Sequence, residues 1–344
     1  MNVGIFIGRF QPLHIGHLTI MSYMQQKYEH VIILVGSANQ RISVKNPFSF
    51  SKRKAWIEQA FANMTKENGA APKLSILPSN DYRYAEKKWE IELNQKVSAV
   101  TSQNDLISLV GYSKDDSSYY LNSFSQWAYD AVGRSVLIDA TTIRNVWFDT
   151  EFKDLSTVER YLPQYVYNDL LSLTNQYENL LEEKQYFEQE TMLFEHHPYP
   201  ETLKLCTADC VLICNAHVLL IKRAAAPGKN CWALPGGFVN QNESFATAAV
   251  RELIEETQII LPSTFNLHDN IKSAHLFDDP KRCFGISRIS VGHLIEVPLI
   301  DGAYPKTNAS DDAVAAKWTK LSQIKNITMF DDHADIIDYF LDIL

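Results

Sequence analysis

The chain has 344 residues, 46% hydrophobic and 21% charged, which is the balance of a globular protein long enough for two cores rather than a disordered or membrane-embedded sequence. A formal net charge of −9 argues against a broad nucleic-acid-binding surface. The longest strongly apolar run, Val31 to Val35, is far too short to span a membrane, and MNVGIFIGRF has no basic segment ahead of an apolar one, so a cytoplasmic protein without membrane contact is expected.

In chain order, VGIFI (3–7) and VIILV (31–35) are short apolar runs rich in β-branched residues, separated by a helical pattern from about Gly16 to Lys27. Such runs read as buried parallel strands of a βαβ unit. Further strands are expected at 73–77, 106–110 and 135–138, with helices around Ser51–Asn63 and Glu86–Ala99. The first half is therefore α/β, an open Rossmann-like parallel sheet wound by helices. Residues 1–60 carry seven Lys/Arg against two Asp/Glu, a local positive balance that draws an anionic ligand.

Directly after the first strand comes GRFQPLHIGHL, Gly8 to Leu18. Here a glycine permits close backbone approach, Pro12 turns the chain, and His14 and His17 lie three apart where a helix begins. Two imidazoles beside a helix N-terminus make an anion site. Neither a Walker A loop nor a G-x-G-x-x-G fingerprint is present, and no third Cys, Asp or Glu nearby completes a zinc site.

From Leu162 to about Glu190 the pattern is helical and charged, and His196–Pro200 stops it as a linker. Five cysteines lie between Cys206 and Cys283 without a C-x-x-C pair, so reduced thiols are expected. Cys206, Cys210 and Cys214 share parity on an expected strand and read as small buried hydrophobes. Strand-like runs at 210–223, 289–297 and 315–321 surround a glutamate-rich helix, and apolar residues at 336, 337, 340, 341 and 344 make a C-terminal amphipathic helix.

The most informative stretch is GGFVNQNESFATAAVRELIEETQI, Gly236 to Ile259. On a helix, Glu252 and Glu256 lie about 40° apart and Glu255 about 60° to the other side, so three carboxylates leave one face. Like charges at i,i+4 destabilise a bare helix unless a cation offsets them. Hard carboxylate oxygens suit Mg²⁺ or Mn²⁺, with Gly236 and Gly237 letting backbone approach the ion and Glu243 adding a carboxylate from the preceding loop.

Gly237, Glu243, Arg251, Glu252, Leu253, Glu255 and Glu256 stand in the register of the Nudix box, which this stretch resembles; Gln258 replaces the glycine that usually ends that helix. The first half resembles the nucleotidylyltransferases through H-x-G-H, narrowed by GRFQP to nicotinamide mononucleotide (NMN) adenylyltransferases. ISVKNPFS (42–49) and IDATTIRNVWF (138–148) resemble two further elements of that family, with Lys45 at a position often held by Arg and Asp139-Ala140 in place of serines. Together the halves resemble the bifunctional NMN adenylyltransferase/Nudix hydrolases. The resemblance implies an adenylyltransferase domain over 1–190 and a Nudix α/β/α sandwich over 200–344.

It also implies two activities: adenylyl transfer from ATP to NMN, and metal-dependent hydrolysis of ADP-ribose. For the first, it assigns His14, His17, Lys45 and Arg144 to the chemistry. Gly8, Arg9, Phe10, Gln11, Gly16, Asp81, Trp89, Gly111, Thr141 and Thr142 fall to ATP and NMN binding, with Trp89 stacking the nicotinamide. For the second, Gly236, Glu252, Glu255 and Glu256 hold Mg²⁺ or Mn²⁺, and Arg251 pairs with a carboxylate to orient the helix. The general base is open among Glu243, a helix glutamate and a residue outside the box. NADH or an ADP-sugar as Nudix substrate, a non-catalytic ligand sensor, and homo-oligomerisation are open alternatives.

Overall fold

The computed structural model describes residues 1–68, 71–111, 123–133, 136–151, 153–172, 177–199 and 202–342. The chain divides into two compact units, Met1–Ile42 with Asn46–Leu181, and Ser43–Lys45 with Glu182–Leu344.

The first unit alternates strand and helix: β1 (Asn2–Gly8), α1 (Ile15–Lys27), β2 (His30–Val35), α2 (Phe50–Asn68), β3 (Lys73–Pro78), α3 (Glu86–Ser98), β4 (Leu106–Gly111), β5 (Ala128–Ala131), α4 (Ala140–Asp149) and α5 (Gln164–Ser172). All five strands are parallel, in the order β3-β2-β1-β4-β5. Every residue of β2 is buried, as a strand covered on both faces requires. Because β1 pairs with β2 on one side and β4 on the other, the winding reverses beside β1. The carboxyl end of β1 is the crevice where such sheets bind ligands.

Two expectations are corrected here. The fifth strand is Ala128–Ala131; Val136–Ile138 are irregular, and Ser135 lies outside the described residues. The VLI run is not a ladder strand but the lead-in to α4, with Leu137 86% exposed and Ile138 buried. The expected helix from Leu162 to Glu190 is two, α5 and then α6 (Glu178–Phe194), with 173–176 outside the described residues.

The second unit takes up α6 from Glu182 and continues with β6 (Leu205–Cys214), β7 (His217–Arg223), β8 (Trp232–Ala233), β9 (Gly236–Phe238), α7 (Phe245–Thr257), β10 (Ile271–Phe277), β11 (Arg288–Glu296), β12 (Ala313–Lys320) and α8 (His333–Leu341). The mixed sheet runs β10-β11-β6-β7-β12, with β9 on β6 and β8 on β7. Cys210 and Cys214 are buried with Leu212 against Ala248, Ala249 and Leu253 of α7, and all five cysteines are free. Burying a leucine such as Leu253 stabilises by about 1.5–3 kcal/mol, so this apolar stripe fixes which face of α7 looks away from the core. On the other sheet face, Ile336 and Phe340 of α8 approach Gly292. Leu344, expected to extend the α8 stripe, lies outside the described residues. Among the described residues no helix is long and apolar enough to cross a membrane.

Candidate active sites in the two units

The loop leaving β1 is held by buried side chains. Gly8 accepts from Gly36 N–H at 2.8 Å, and Phe10 is 1% exposed with a positive φ of 52°. Gln11 exchanges two 2.9 Å hydrogen bonds with the Phe48 backbone. His14 is the N-cap of α1: its Nδ1 accepts from Gly16 N–H at 3.1 Å, while His17 Nδ1 accepts from His14 N–H at 3.3 Å. A ring nitrogen that accepts carries no proton, so each neutral imidazole bears its proton on Nε2 and offers an Nε2–H donor. The rings lie 3.8 Å apart, and burial, then the nearby His14, lowers the His17 pKa well below 6.5. His17 is therefore a neutral donor at physiological pH.

Arg144 supports the same loop from α4. Its Nη1 donates to the Gln11 carbonyl at 2.6 Å and its Nη2 to Thr141 Oγ1 at 3.1 Å, with 7% of its surface exposed. Burial, then the Arg9 charge, lowers its pKa to about 10, so it stays a cation. Asp139, read from sequence as a departure from family serines, is the N-cap of α4, accepting from Thr142 N–H at 2.8 Å and Oγ1 at 3.1 Å.

Sequence reasoning missed Arg53. Fully buried, it donates to the carbonyls of Arg9 at 2.8 Å, Gly36 at 2.6 Å and Ser37 at 3.3 Å, clamping the loops after β1 and β2 together. In the sequence it is the middle of Lys52-Arg53-Lys54, which looks like a solvated helix face. Elsewhere in the unit, Gly111 ends β4 with its carbonyl taken by Val132 N–H, and Asp81 exchanges backbone hydrogen bonds with the Asn39 side chain. Trp89 packs on Phe124 and donates to Ser79 Oγ at 3.1 Å. Ser43–Lys45 group with the second unit, so Lys45 is not among the residues that the first unit itself brings to the histidines.

In the second unit, Ser244 caps α7 by accepting from Thr247 N–H at 3.1 Å. The exit is resolved too: Gln258 takes the left-handed conformation, φ 42°, that glycine usually supplies, and its side chain accepts from Asn308 at 3.0 Å. Arg251 meets three carboxylates rather than one. It is bidentate to Glu243 at 2.8 and 3.0 Å, reaches Glu252 at 2.7 Å and Glu255 at 2.8 Å, and donates to the Phe238 carbonyl at 3.0 Å. This pairing, with the Asn240 N–H, lowers the Glu243 pKa to about 2. Glu256 is turned away from Arg251, 3% exposed, accepting from Gly236 N–H at 3.0 Å, and burial pushes its pKa up to about 8. The three helix carboxylates are thus unequal: Glu255 is exposed, Glu252 half-buried, Glu256 buried.

Gly236 and Gly237 are required by close approach. A Cβ at Gly237 would stand 2.4 Å from a Glu252 carboxylate oxygen, and one at Gly236 2.5 Å from both Asp209 Oδ1 and the Ala208 carbonyl. Asp209, buried on β6 and bonded by the Ser290 hydroxyl, was also missed, although an aspartate inside the apolar LCTADCVLIC is a visible anomaly. Among the described residues no three His, Cys, Asp or Glu side chains form a ready metal cluster; Arg251 ties up two of the helix carboxylates. The donor set still fits a hard divalent cation. It consists of backbone and carboxylate oxygens beside glycines that leave room, and one of the carboxylates, Glu256, is buried.

These sites define a nucleotidyl-transfer fold followed by a pyrophosphate-hydrolase fold. The cytidylyltransferase-like family matches residues 5–110 and the NUDIX domain family residues 204–340. A bifunctional NMN adenylyltransferase/ADP-ribose pyrophosphatase from Francisella tularensis is 35% identical, with a TM-score of 0.88 over 99% of this chain and 98% of that one. A second structure of that enzyme, complexed with AMP and Mn, aligns at 34% identity and a TM-score of 0.87. The nicotinamide/nicotinic acid mononucleotide adenylyltransferase of Acinetobacter baylyi is 33% identical over 42% of this chain and 74% of its own length. The ADP-ribose pyrophosphatase of Methanocaldococcus jannaschii is 37% identical over 38% and 70%. The chain belongs to the family of bifunctional NMN adenylyltransferase/ADP-ribose pyrophosphatases.

Proposed function

We propose that the chain catalyses two reactions of NAD metabolism, adenylyl transfer from ATP to NMN in residues 1–190 and hydrolysis of ADP-ribose to AMP and ribose 5-phosphate in residues 200–344. What carries the pairing is likeness to a bifunctional enzyme over 99% of this chain, with a separate set of functional side chains in each half.

In-line adenylyl transfer needs no protein nucleophile, only a triphosphate held and neutralised with the NMN phosphate oxygen near the α-phosphorus. The Nε2–H groups of His14 and His17 donate to phosphate oxygens, Arg144 fixes the Gln11 turn and adds positive charge, and Arg53 sets the loop on which Arg9 is carried. Trp89 offers its face to the nicotinamide. Arg144→Lys should therefore slow adenylyl transfer by about tenfold or more, because one ammonium cannot hold Gln11 and Thr141 together as the guanidinium fork does. Steady-state rates check this; unchanged turnover removes Arg144 from the site.

For hydrolysis, the Gly236 carbonyl with Glu252, Glu255 and Glu256 would hold Mg²⁺, with Mn²⁺ as a substitute. When bound, the ion polarises the pyrophosphate and lowers the pKa of water. Arg251 then keeps Glu243 ionised and holds α7 against β9. The test is chromatographic analysis of purified protein with ATP plus NMN, and separately with ADP-ribose. NAD with pyrophosphate, and AMP with ribose 5-phosphate, are expected; cleavage of NADH or an ADP-sugar in preference to ADP-ribose would change the second substrate.

A further inference from the structure

The chain reaches Gly236 from β8 through Trp232 and Leu234, and the N–H groups of these alternate residues meet different kinds of acceptor. Trp232 donates to the Thr328 carbonyl at 3.0 Å and accepts from Phe330 N–H at 2.8 Å, so backbone holds both of its groups. Gly236 donates to the Glu256 carboxylate at 3.0 Å. Between them Leu234 N–H is met by a side chain instead of backbone, the imidazole of His333, whose Nδ1 accepts it at 2.9 Å.

His333 is the first residue of α8, and its place is set without help from β9. Asp332 before it is buried in a two-point ion pair with Arg282, at 2.8 and 3.1 Å. His333 N–H donates to the Phe330 carbonyl at 3.0 Å, and its ring meets the Phe330 ring edge-on at 5.3 Å. Burial, against the pull of the Asp209 and Asp332 charges, lowers the His333 pKa below 6.5. The ring is neutral, and an Nδ1 that accepts leaves the proton on Nε2.

From Leu234 only Pro235 intervenes before Gly236. Pro235 has no N–H to hold, and its carbonyl accepts from Cys210 N–H at 2.8 Å. In a strand the N–H and C=O of one residue leave on the same side. The two anchored N–H groups, of Leu234 and Gly236, therefore set the direction of the Gly236 carbonyl. We propose that His333 is a positioning residue of the hydrolase, holding Leu234–Gly236 so that the Gly236 carbonyl meets the divalent ion. This rests on the reading of Gly236 and the helix glutamates as the ion site and deepens it.

The experiment compares the full chain as wild type, His333→Ala, His333→Asn and His333→Gln. It measures Mn²⁺ binding, from the electron paramagnetic resonance signal of the free ion, and the Mg²⁺ dependence of ADP-ribose hydrolysis. The asparagine side-chain oxygen stands where Nδ1 stands, whereas the glutamine oxygen reaches the place of Nε2. A partner that orients a metal ligand contributes about 10- to 100-fold in metal affinity or activity. His333→Ala should therefore weaken Mn²⁺ binding and raise the Mg²⁺ needed for half-maximal hydrolysis by about tenfold or more. His333→Asn should recover most of both losses and His333→Gln little, with NAD formation unchanged throughout. A histidine that only fills space would lower the melting temperature of the alanine variant without moving either metal constant. That result, or asparagine and glutamine variants that behave alike, overturns the assignment alone. Should the alanine variant fail to fold, the contrast between asparagine and glutamine supports or overturns it. A wild type that hydrolyses nothing, or hydrolyses without a divalent ion, overturns the functional reading and this inference together.

Discussion

Replacing His17 with alanine should reduce adenylyl transfer by about 10²-fold or more, because a preorganised donor to the developing charge disappears. Burial keeps that imidazole neutral, so the loss is of a hydrogen-bond donor in a fixed tautomer rather than of a titrating charge. The substitution also removes the acceptor for His14 N–H, loosening the start of α1. ADP-ribose hydrolysis, whose residues lie in the second unit, is the internal control for folding. Should both activities fall together, the variant is misfolded or the sites are shared, and NAD formation at the wild-type rate would remove His17 from the chemistry.

Glu256→Gln should abolish most hydrolysis while raising the stability of the metal-free protein. The folded-state pKa of about 8 stands above the ordinary 4.5. Between those values the folded protein keeps a proton that the unfolded chain has released. Wild-type stability therefore falls as pH rises from about 4.5 to about 8, then levels off. Glutamine has no such dependence, so the variant's advantage in metal-free melts should grow across that window, toward a few kcal/mol at most by order of magnitude. Mg²⁺ should reverse the ranking, because an ion that binds the folded state stabilises in proportion to its affinity and the glutamine site has lost a charge. Equal Mg²⁺ shifts in both proteins would argue that Glu256 holds no cation.

Much of this was legible in the sequence for definite reasons. The glutamate box is a contiguous stretch with fixed spacing, so its helix and its glycine pair could be read locally, whereas the Ser244 cap appears only in the structure. β1 and β2 were equally visible because strands covered on both faces are near-continuous apolar runs. What was hidden depends on partners distant in sequence. Arg53 acts by reaching carbonyls 16 to 44 residues away, and nothing around it distinguishes it from Lys52 and Lys54. Asp139 read only as a departure from the family's serines, and its role as the α4 cap depends on the fold bringing Thr142 N–H to it. Gln258 looked like a broken helix exit, yet glutamine tolerates the left-handed conformation with its side chain bonded to Asn308. The 135–138 run misled because apolar residues leading into a helix have the composition of a strand. The inequality of Glu252, Glu255 and Glu256 was likewise invisible, since helical spacing gives their direction but not which one β9 covers.

The central claim is that one chain carries two independent active sites, and it is tested most directly by assaying wild type, His17→Ala and Glu256→Gln side by side. Each is supplied with ATP plus NMN and, separately, with ADP-ribose, both with Mg²⁺. Wild type should form NAD in the first mixture and AMP with ribose 5-phosphate in the second, His17→Ala should lose the first alone, and Glu256→Gln the second alone. A variant that loses both reactions while folded, or a wild type that fails either, would contradict it.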